Sequence, residues 1–220
     1  MAIRLTVVKK ARRLTLMGWL LVMFTCVVMF FVWMVTIHDF LAINRPLKTH
    51  IMVIEGYVHD SILDSITNIT GLKQDSLLFV CAGLPVEKGF MCSGYSNYAF
   101  YHADILKSFG LDSLRVIPAP AEQTYNERTY TMALAVKEKL ESMGYSSGEI
   151  NIICTGTHAR RSWLLYRKVF KTNWKVGVIS YTDYLYRGPW WHSSEGARAV
   201  VYEMFAYLYC AIFFHPYNHV

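Results

Sequence analysis

Charge is what this sequence most lacks. Asp, Glu, Lys and Arg make up 17% of its 220 residues, against 54% hydrophobic residues. The deficit is local, because no charged residue falls between Leu14 and Ile37. That run, LTLMGWLLVMFTCVVMFFVWMVTI, also has no polar stripe of the kind a long helix turns to water, which excludes an ordinary surface helix. It exceeds the ~20 residues needed to cross a bilayer core. A small-residue cleavage site is missing as well, since His38-Asp39-Phe40 comes next. The run therefore reads as an uncleaved anchor rather than a signal peptide.

Cysteine is sparse, with Cys26, Cys81, Cys92, Cys154 and Cys210 only. No CxxC or Cys/His spacing suits zinc, so no metal site is expected. Cys81 and Cys92 could pair in an oxidising compartment, and two buried thiols are the blander reading. A GxxxxGK[ST] loop, a GxGxxG turn, HExxH, a Ser-His-Asp order and a close carboxylate pair are all missing. Their absence leaves the cofactor unknown and marks no familiar mechanism. Neither an internal repeat nor a low-complexity segment is visible.

The charge that is present is placed asymmetrically. Arg4, Lys9, Lys10, Arg12 and Arg13 precede the apolar run, whereas Asp39, Arg45 and Lys48 follow it. By the positive-inside rule the N-terminus stays in the cytoplasm. The expected organisation is a basic cytoplasmic tail (1–13), a single transmembrane helix (14–37), a tether (38–49) and an extracytoplasmic domain (50–220), periplasmic behind an inner membrane. The net charge of +6 comes partly from the tail, whose natural partner is the anionic leaflet of the lipid bilayer. It therefore does not point to nucleic acid.

Beyond the anchor the pattern alternates. Short apolar runs at 51–55, 77–81, 115–118, 150–154 and 176–180 read as strands buried on both faces. Helix-like stretches lie at about 61–70, 98–109, 122–143, 160–170 and 194–214, with Gly110 and Gly144 placed as C-caps. The expected fold is α/β, a Rossmann-like three-layer sandwich with a mainly parallel sheet of about five strands. Ligands of such sheets bind outside the carboxyl ends of the strands. The residues that follow each run are therefore candidates: Glu55-Gly56-Tyr57, Cys81-Ala82-Gly83, Pro118 to Glu122, Thr155 to His158, and Ser180 to Asp183.

NIICTGTHARRSW, residues 151–163, is the densest of these ends. Thr155-Gly156-Thr157 can cap the next helix through a hydroxyl, and amides at a helix start favour an anion. His158 could move a proton or merely hydrogen-bond within its loop. Arginine forks suit phosphate or carboxylate, but Arg160 and Arg161 point about 100° apart on a helix and cannot both face one ligand. Glu55 could be a general base, a hydroxyl ligand or an ion-pair partner of an arginine. Glu122 is expected in the first turn of the third helix, which would set Arg128 and Thr129 a turn or two deeper. Near the C-terminus, Ser193-Ser194 is a plausible N-cap, with Glu195 and Arg198 spaced i, i+3. The apolar run beyond Arg198 is about 16 residues, short for a second span. It reads as a helix packed on the sheet, with membrane contact at Phe213-Phe214 as the sharper alternative.

VIEGYVHDSILD, CAGLPVEKGFMCSGYSNYA, RVIPAPAEQTYNERTYTMALAV, INIICTGTHARRSWLLYRKVF and WWHSSEGARAVVYEMFAYLY together resemble the YdcF-like family (the SanA and ElyC group), in its membrane-anchored branch. The resemblance covers roughly residues 50 to 212 and rests on the order and spacing of these segments. It implies a Rossmann-like domain behind one membrane helix and a role in envelope integrity or peptidoglycan assembly. His158 and Arg161, and Arg128-Thr129, match the family's pattern. The expected function is an extracytoplasmic protein of the bacterial envelope that binds an anionic or phosphorylated small-molecule or lipid-linked ligand. Glu55 and His158 would be catalytic. Thr155, Gly156, Thr157, Arg160, Arg161, Arg128, Thr129, Gly83 and Glu195 would bind the ligand. A hydrolase or transferase acting on a phosphorylated precursor is one reading, and a non-catalytic tethered sensor or scaffold is the other.

Overall fold

The computed structural model describes residues 14–60, 62–63, 77–87, 94–181 and 189–216. The chain divides into two compact units, one ending at Ile37 and the other beginning at His38. Helix α1, Leu16–Leu41, supplies the described part of the first unit and runs on into the second. The Thr15 hydroxyl accepts from the Gly18 N–H at 3.2 Å and so takes up one free donor of the first turn. Thr25 and Thr36 turn their hydroxyls back onto the Leu21 and Val32 carbonyls, at 2.9 and 2.8 Å. These two hydroxyls are thus satisfied within the helix, as a nonpolar medium requires. Only 6% of its most apolar stretch is buried, so it is not a core helix, and it is long and apolar enough to cross a membrane.

The second unit is built on five parallel strands in the order β3-β2-β1-β4-β5. They are β1 Ile51–Ile54, β2 Leu78–Gly83, β3 Val116–Pro120, β4 Gly148–Thr155 and β5 Trp174–Tyr181. Alternate residues serve opposite faces. On one face, Ile51, Val53, Ile150 and Ile152 meet α3 (Arg128–Ser142) and α4 (Ala159–Phe170) through Met132, Val136, Leu140, Tyr166 and Phe170. On the other, Met52, Ile54, Phe79 and Ile153 meet Ile62, Leu63 and α2 (Tyr98–Ser108) through Ala103 and Leu106. Helices on both faces complete a three-layer, Rossmann-like α/β arrangement. Helix α5, Ser194–Ile212, lies alongside α4 in the same direction, since Arg161 meets Glu203 and Lys168 meets the Cys210 carbonyl.

All five expected strands form. Gly110 and Gly144 follow α2 and α3 with φ of +88° and +89°, the left-handed conformation that a helix end takes up with glycine. The third helix departs from expectation. It starts at Arg128 rather than near residue 122, so Glu122 sits in a loop instead of a first turn. The cause is local: the Thr124 hydroxyl donates to the Asn126 carbonyl and accepts from its N–H, and Glu127 turns left-handed at φ 52°. Such side-chain to backbone bonds compete with helix formation. Of the expected helix at 61–70, Ile62 and Leu63 are helical and the remainder lies outside the described residues. Cys92, Thr182 and Asp183 also lie outside them. Cys81 is a free, buried thiol, and burial pushes its pKa up to about 12.

The segment expected as a tether is seated on the sheet. Arg45 pairs antiparallel with Val178 on the edge strand β5, each donating its N–H to the other's carbonyl at 2.8 and 3.0 Å. Asn151 reaches across from β4 and holds both the Leu47 N–H and its carbonyl at 2.8 Å. Gly177 lies opposite Asn151 in the register. A Cβ there would stand 2.2 Å from the Asn151 Oδ1 atom and 2.9 Å from the Arg45 carbonyl, so only glycine admits the crossing amide. Covering the outer edge of β5 removes a row of unpaired backbone groups.

Candidate functional site

In this strand order the chain leaves β1 for β2 and β3 on one side, and returns to β4 on the other. The crevice beyond the carboxyl ends of β1 and β4 is therefore the crossover point at which open α/β sheets bind ligands. Glu55 follows β1 directly, and His158 follows β4 after a single tight turn, Gly156–His158. Their side chains meet, with the His158 Nε2 atom 3.4 Å from the Glu55 Oε2 atom. Thr129, at the start of α3, brings its hydroxyl to 3.5 Å from the same nitrogen.

Glu55 is buried. Its Oε2 atom accepts from the Ser162 hydroxyl at 2.8 Å, whereas Oε1 has no partner among the described residues. Burial raises its pKa above the usual carboxylate range, against the lowering pull of His158, the Ser162 hydrogen bond and Arg161. The other ring nitrogen, Nδ1, lies 3.0 Å from the Glu203 Oε1 atom on α5. Arg161 grips Glu203 with both ends of its fork, Nε to Oε2 at 2.8 Å and an Nη2 atom to Oε1 at 2.9 Å. Burial alone would raise the Glu203 pKa. The hydrogen bonds from Arg161 and His158, with their charges, win and hold it at about 2. Glu203 is thus a fixed anion that orients the imidazole, while Glu55 lies on the ring's other side as a carboxyl whose neutral form is favoured.

Glu203 and Ser162 are the site residues that the strand-end reading missed. Glu203 had a visible signal: it is the one acid in an otherwise uncharged run from Ala199 to Phe214. A carboxylate in such a run faces water or finds a buried cation. Ser162 carried no signal of its own, being one residue past Arg161 on the buried side of α4.

The other candidates divide. Arg161 is in the cluster, but both ends of its fork already hold Glu203. Arg160 turns away, as the expected 100° offset requires, and stacks on the Phe40 ring at 3.8 Å while donating to the Phe40 carbonyl. It is a packing residue, not a ligand clamp. Arg128 is the first residue of α3, not a turn deeper, and is half exposed, 3.7 Å from Glu87 and hydrogen-bonded to Tyr57. The expected hydroxyl cap on α4 does not form. Thr155 and Thr157 give way to a 3-10 turn that runs straight into the helix, and the buried Thr155 hydroxyl has no partner among the described residues. Gly156, at φ +39°, permits that turn, and its carbonyl accepts from the Ser180 hydroxyl at 3.0 Å. A Cβ on Gly83 would meet the Ala99 nitrogen at 2.1 Å, so Gly83 lets β2 end against the start of α2. Glu195 is exposed in the first turn of α5, roughly 12 Å along the helix axis from Glu203 at 1.5 Å per residue. It suits the helix dipole rather than the cluster.

Two of the helix starts differ from the others. Asn97 and Ser193 cap α2 and α5 through their side chains, whereas α3 and α4 begin without a side-chain cap. The two uncapped starts are those that Thr129 and His158 bring together. The Ala159 N–H at the start of α4 donates to the Gly156 carbonyl, so the uncapped first turn with free donors is that of α3. Comparison with protein-family models, curated proteins and solved structures finds no match for this chain.

Proposed function

We propose that the chain is a membrane-anchored envelope protein of the YdcF-like kind, its α/β domain extracytoplasmic, and that it binds an anionic, phosphate- or carboxylate-bearing ligand at the β1/β4 crossover. The observation that carries this reading is the buried Glu55 carboxyl against His158 at that crossover, with its Oε1 atom unpartnered among the described residues. A buried polar atom left open calls for an explanation, and at the crossover a bound ligand supplies one. The amides that open α3, which starts without a side-chain cap, supply donors for negative charge. Arg128 supplies the cation at the rim, because it is half exposed and its pair with Glu87 is long at 3.7 Å, whereas Arg161 is held by Glu203 and Arg160 by Phe40.

The reaction class that suits these groups is hydrolysis or group transfer with proton movement. Glu203 orients the imidazole through Nδ1, and Nε2 and Glu55 share the task of holding and releasing a proton. A second reading, a non-catalytic sensor or scaffold, is favoured by one specific feature: the Arg161 fork is satisfied by Glu203 with no ligand needed.

Native mass spectrometry of the detergent-extracted full chain separates these readings. A phosphate- or carboxylate-bearing species that co-purifies with the parent, and is lost in Arg128→Ala, is the expected result. Its slow conversion by the parent but not by Glu55→Gln identifies an enzyme. An unchanged species in both identifies a sensor. A bare parent spectrum would sink the ligand reading altogether.

A further inference from the structure

Helix α5 buries only a narrow line, Gly196, Val200, Glu203 and Cys210. The rest of its C-terminal half faces outward and is apolar. Tyr202, Phe205, Leu208, Tyr209, Ile212 and Phe213 are all exposed, Phe205 by 62% and Phe213 by 71%. From Ala199 to Phe214 the one charged residue is Glu203, and it points inward to Arg161. A surface helix ordinarily carries its charge on the outer face. An outer face of this size without charge is matched to something other than water.

We infer that this face of α5 lies in the headgroup zone of the bilayer, as a second membrane contact beside the anchor. The inference rests on the anchoring of α1 proposed above. Its first support is where the chain enters the folded unit. That unit begins at His38. Two residues later the Phe40 ring packs edge-to-face on Tyr207 of α5, with centroids 5.7 Å apart. The apolar run ends at Ile37, three residues before Phe40 in the chain, so the segment that leaves the membrane is the one that packs on α5.

The second support is composition. Tyr202 and Tyr209 stand beside Phe205 and Phe213 on this face, the mixture of polar-tipped and apolar rings that collects at the membrane–water interface. The third is attachment. Lys168 donates to the Cys210 and Phe214 carbonyls at 2.6 and 2.5 Å, and the Phe214 ring stacks edge-on against Tyr130 at 5.2 Å. The end of the helix is therefore fastened to the domain. It lies along the interface and does not continue into a second span. Of the Phe213-Phe214 pair, Phe213 faces outward and Phe214 packs inward.

The test uses the full chain in nanodiscs of phosphatidylethanolamine and phosphatidylglycerol. A photoreactive p-benzoylphenylalanine replaces Phe205, Tyr209 or Phe213 in turn. Phe24 in the apolar run and Tyr125, exposed by 82% on a loop, serve as references. Lipid adducts at the three α5 positions and at position 24, with none at 125, are expected. Adducts to a second copy of the chain at the α5 positions would overturn the inference and make this face a self-association surface. So would an absence of adducts there while position 24 labels lipid. No lipid adduct at position 24 would overturn the anchor itself, which separates the two failures. Far-ultraviolet circular dichroism of each variant confirms that the exposed replacements leave the fold intact.

Discussion

Glu203 sets how the site responds to acid. Its pKa is held at about 2 against an ordinary 4.5. A depressed carboxylate stabilises the fold fully above its unfolded value and loses that contribution as the pH falls through the folded one, here between about 4.5 and 2. The difference corresponds to about 3 kcal/mol. Glu55 works in the opposite sense: its raised pKa favours the neutral carboxyl in the fold, so its contribution is full below 4.5 and fades as the pH rises through the folded value. Glu203→Gln should therefore cost about 3 kcal/mol near neutrality, by leaving the Arg161 guanidinium buried without its partner. It should also flatten the loss of stability below pH 4.5. Thermal unfolding in detergent micelles, followed by tryptophan fluorescence from pH 2 to pH 7, reads both effects. An unchanged acid slope in the variant would show that another group governs it.

Among the elements, the strap from Ile43 to Thr49 is the most sharply specified. Its position depends on a single missing side chain, that of Gly177, over which Asn151 reaches Leu47. Gly177→Ala forces a Cβ against the Asn151 amide and the Arg45 carbonyl, and overpacking of this kind costs about 1–3 kcal/mol. Hydrogen exchange should accelerate at the amides of Arg45 and Leu47 while those of the central strand β1 stay protected. Equal protection of the strap in both proteins would mean that the amide crossing is not what holds it. The helix starts belong to the same scale. A Ser cap can be read from sequence, as at Ser193, but the late start of α3 at Arg128 could not. It follows from a three-residue hydroxyl-and-turn competition at Thr124 to Glu127 that composition does not reveal.

For the whole molecule, the main prediction concerns α1. Replacing Phe24 and Val28 together by arginine places two charges mid-helix, each costing roughly 2.5–3.5 kcal/mol on insertion. Alkaline carbonate should release this variant from membranes and leave the parent in the pellet. Release of both would remove the anchor, and with it the reading of α5 as a companion surface. Retention of both would show that contacts outside α1 hold the protein to the membrane.

Periodicity and charge alone determined the two-part organisation, the five strands and their parallel arrangement. Runs such as Ile51–Ile54 are apolar on both faces, and only a sheet sandwiched between helices buries both. They also placed Glu55 and His158 at strand ends, because a strand's last residue is a local property. Which side chains meet there is a long-range property, and only the tertiary structure decided it. Neighbouring arginines diverged because helix geometry sends Arg160 to Phe40 and Arg161 to Glu203, 42 residues away. The anion clamp expected of Arg161 became an internal brace. Glu203 entered the site because a carboxylate in an apolar helix has nowhere to go except toward a buried cation, and the sequence does not say where that cation will be.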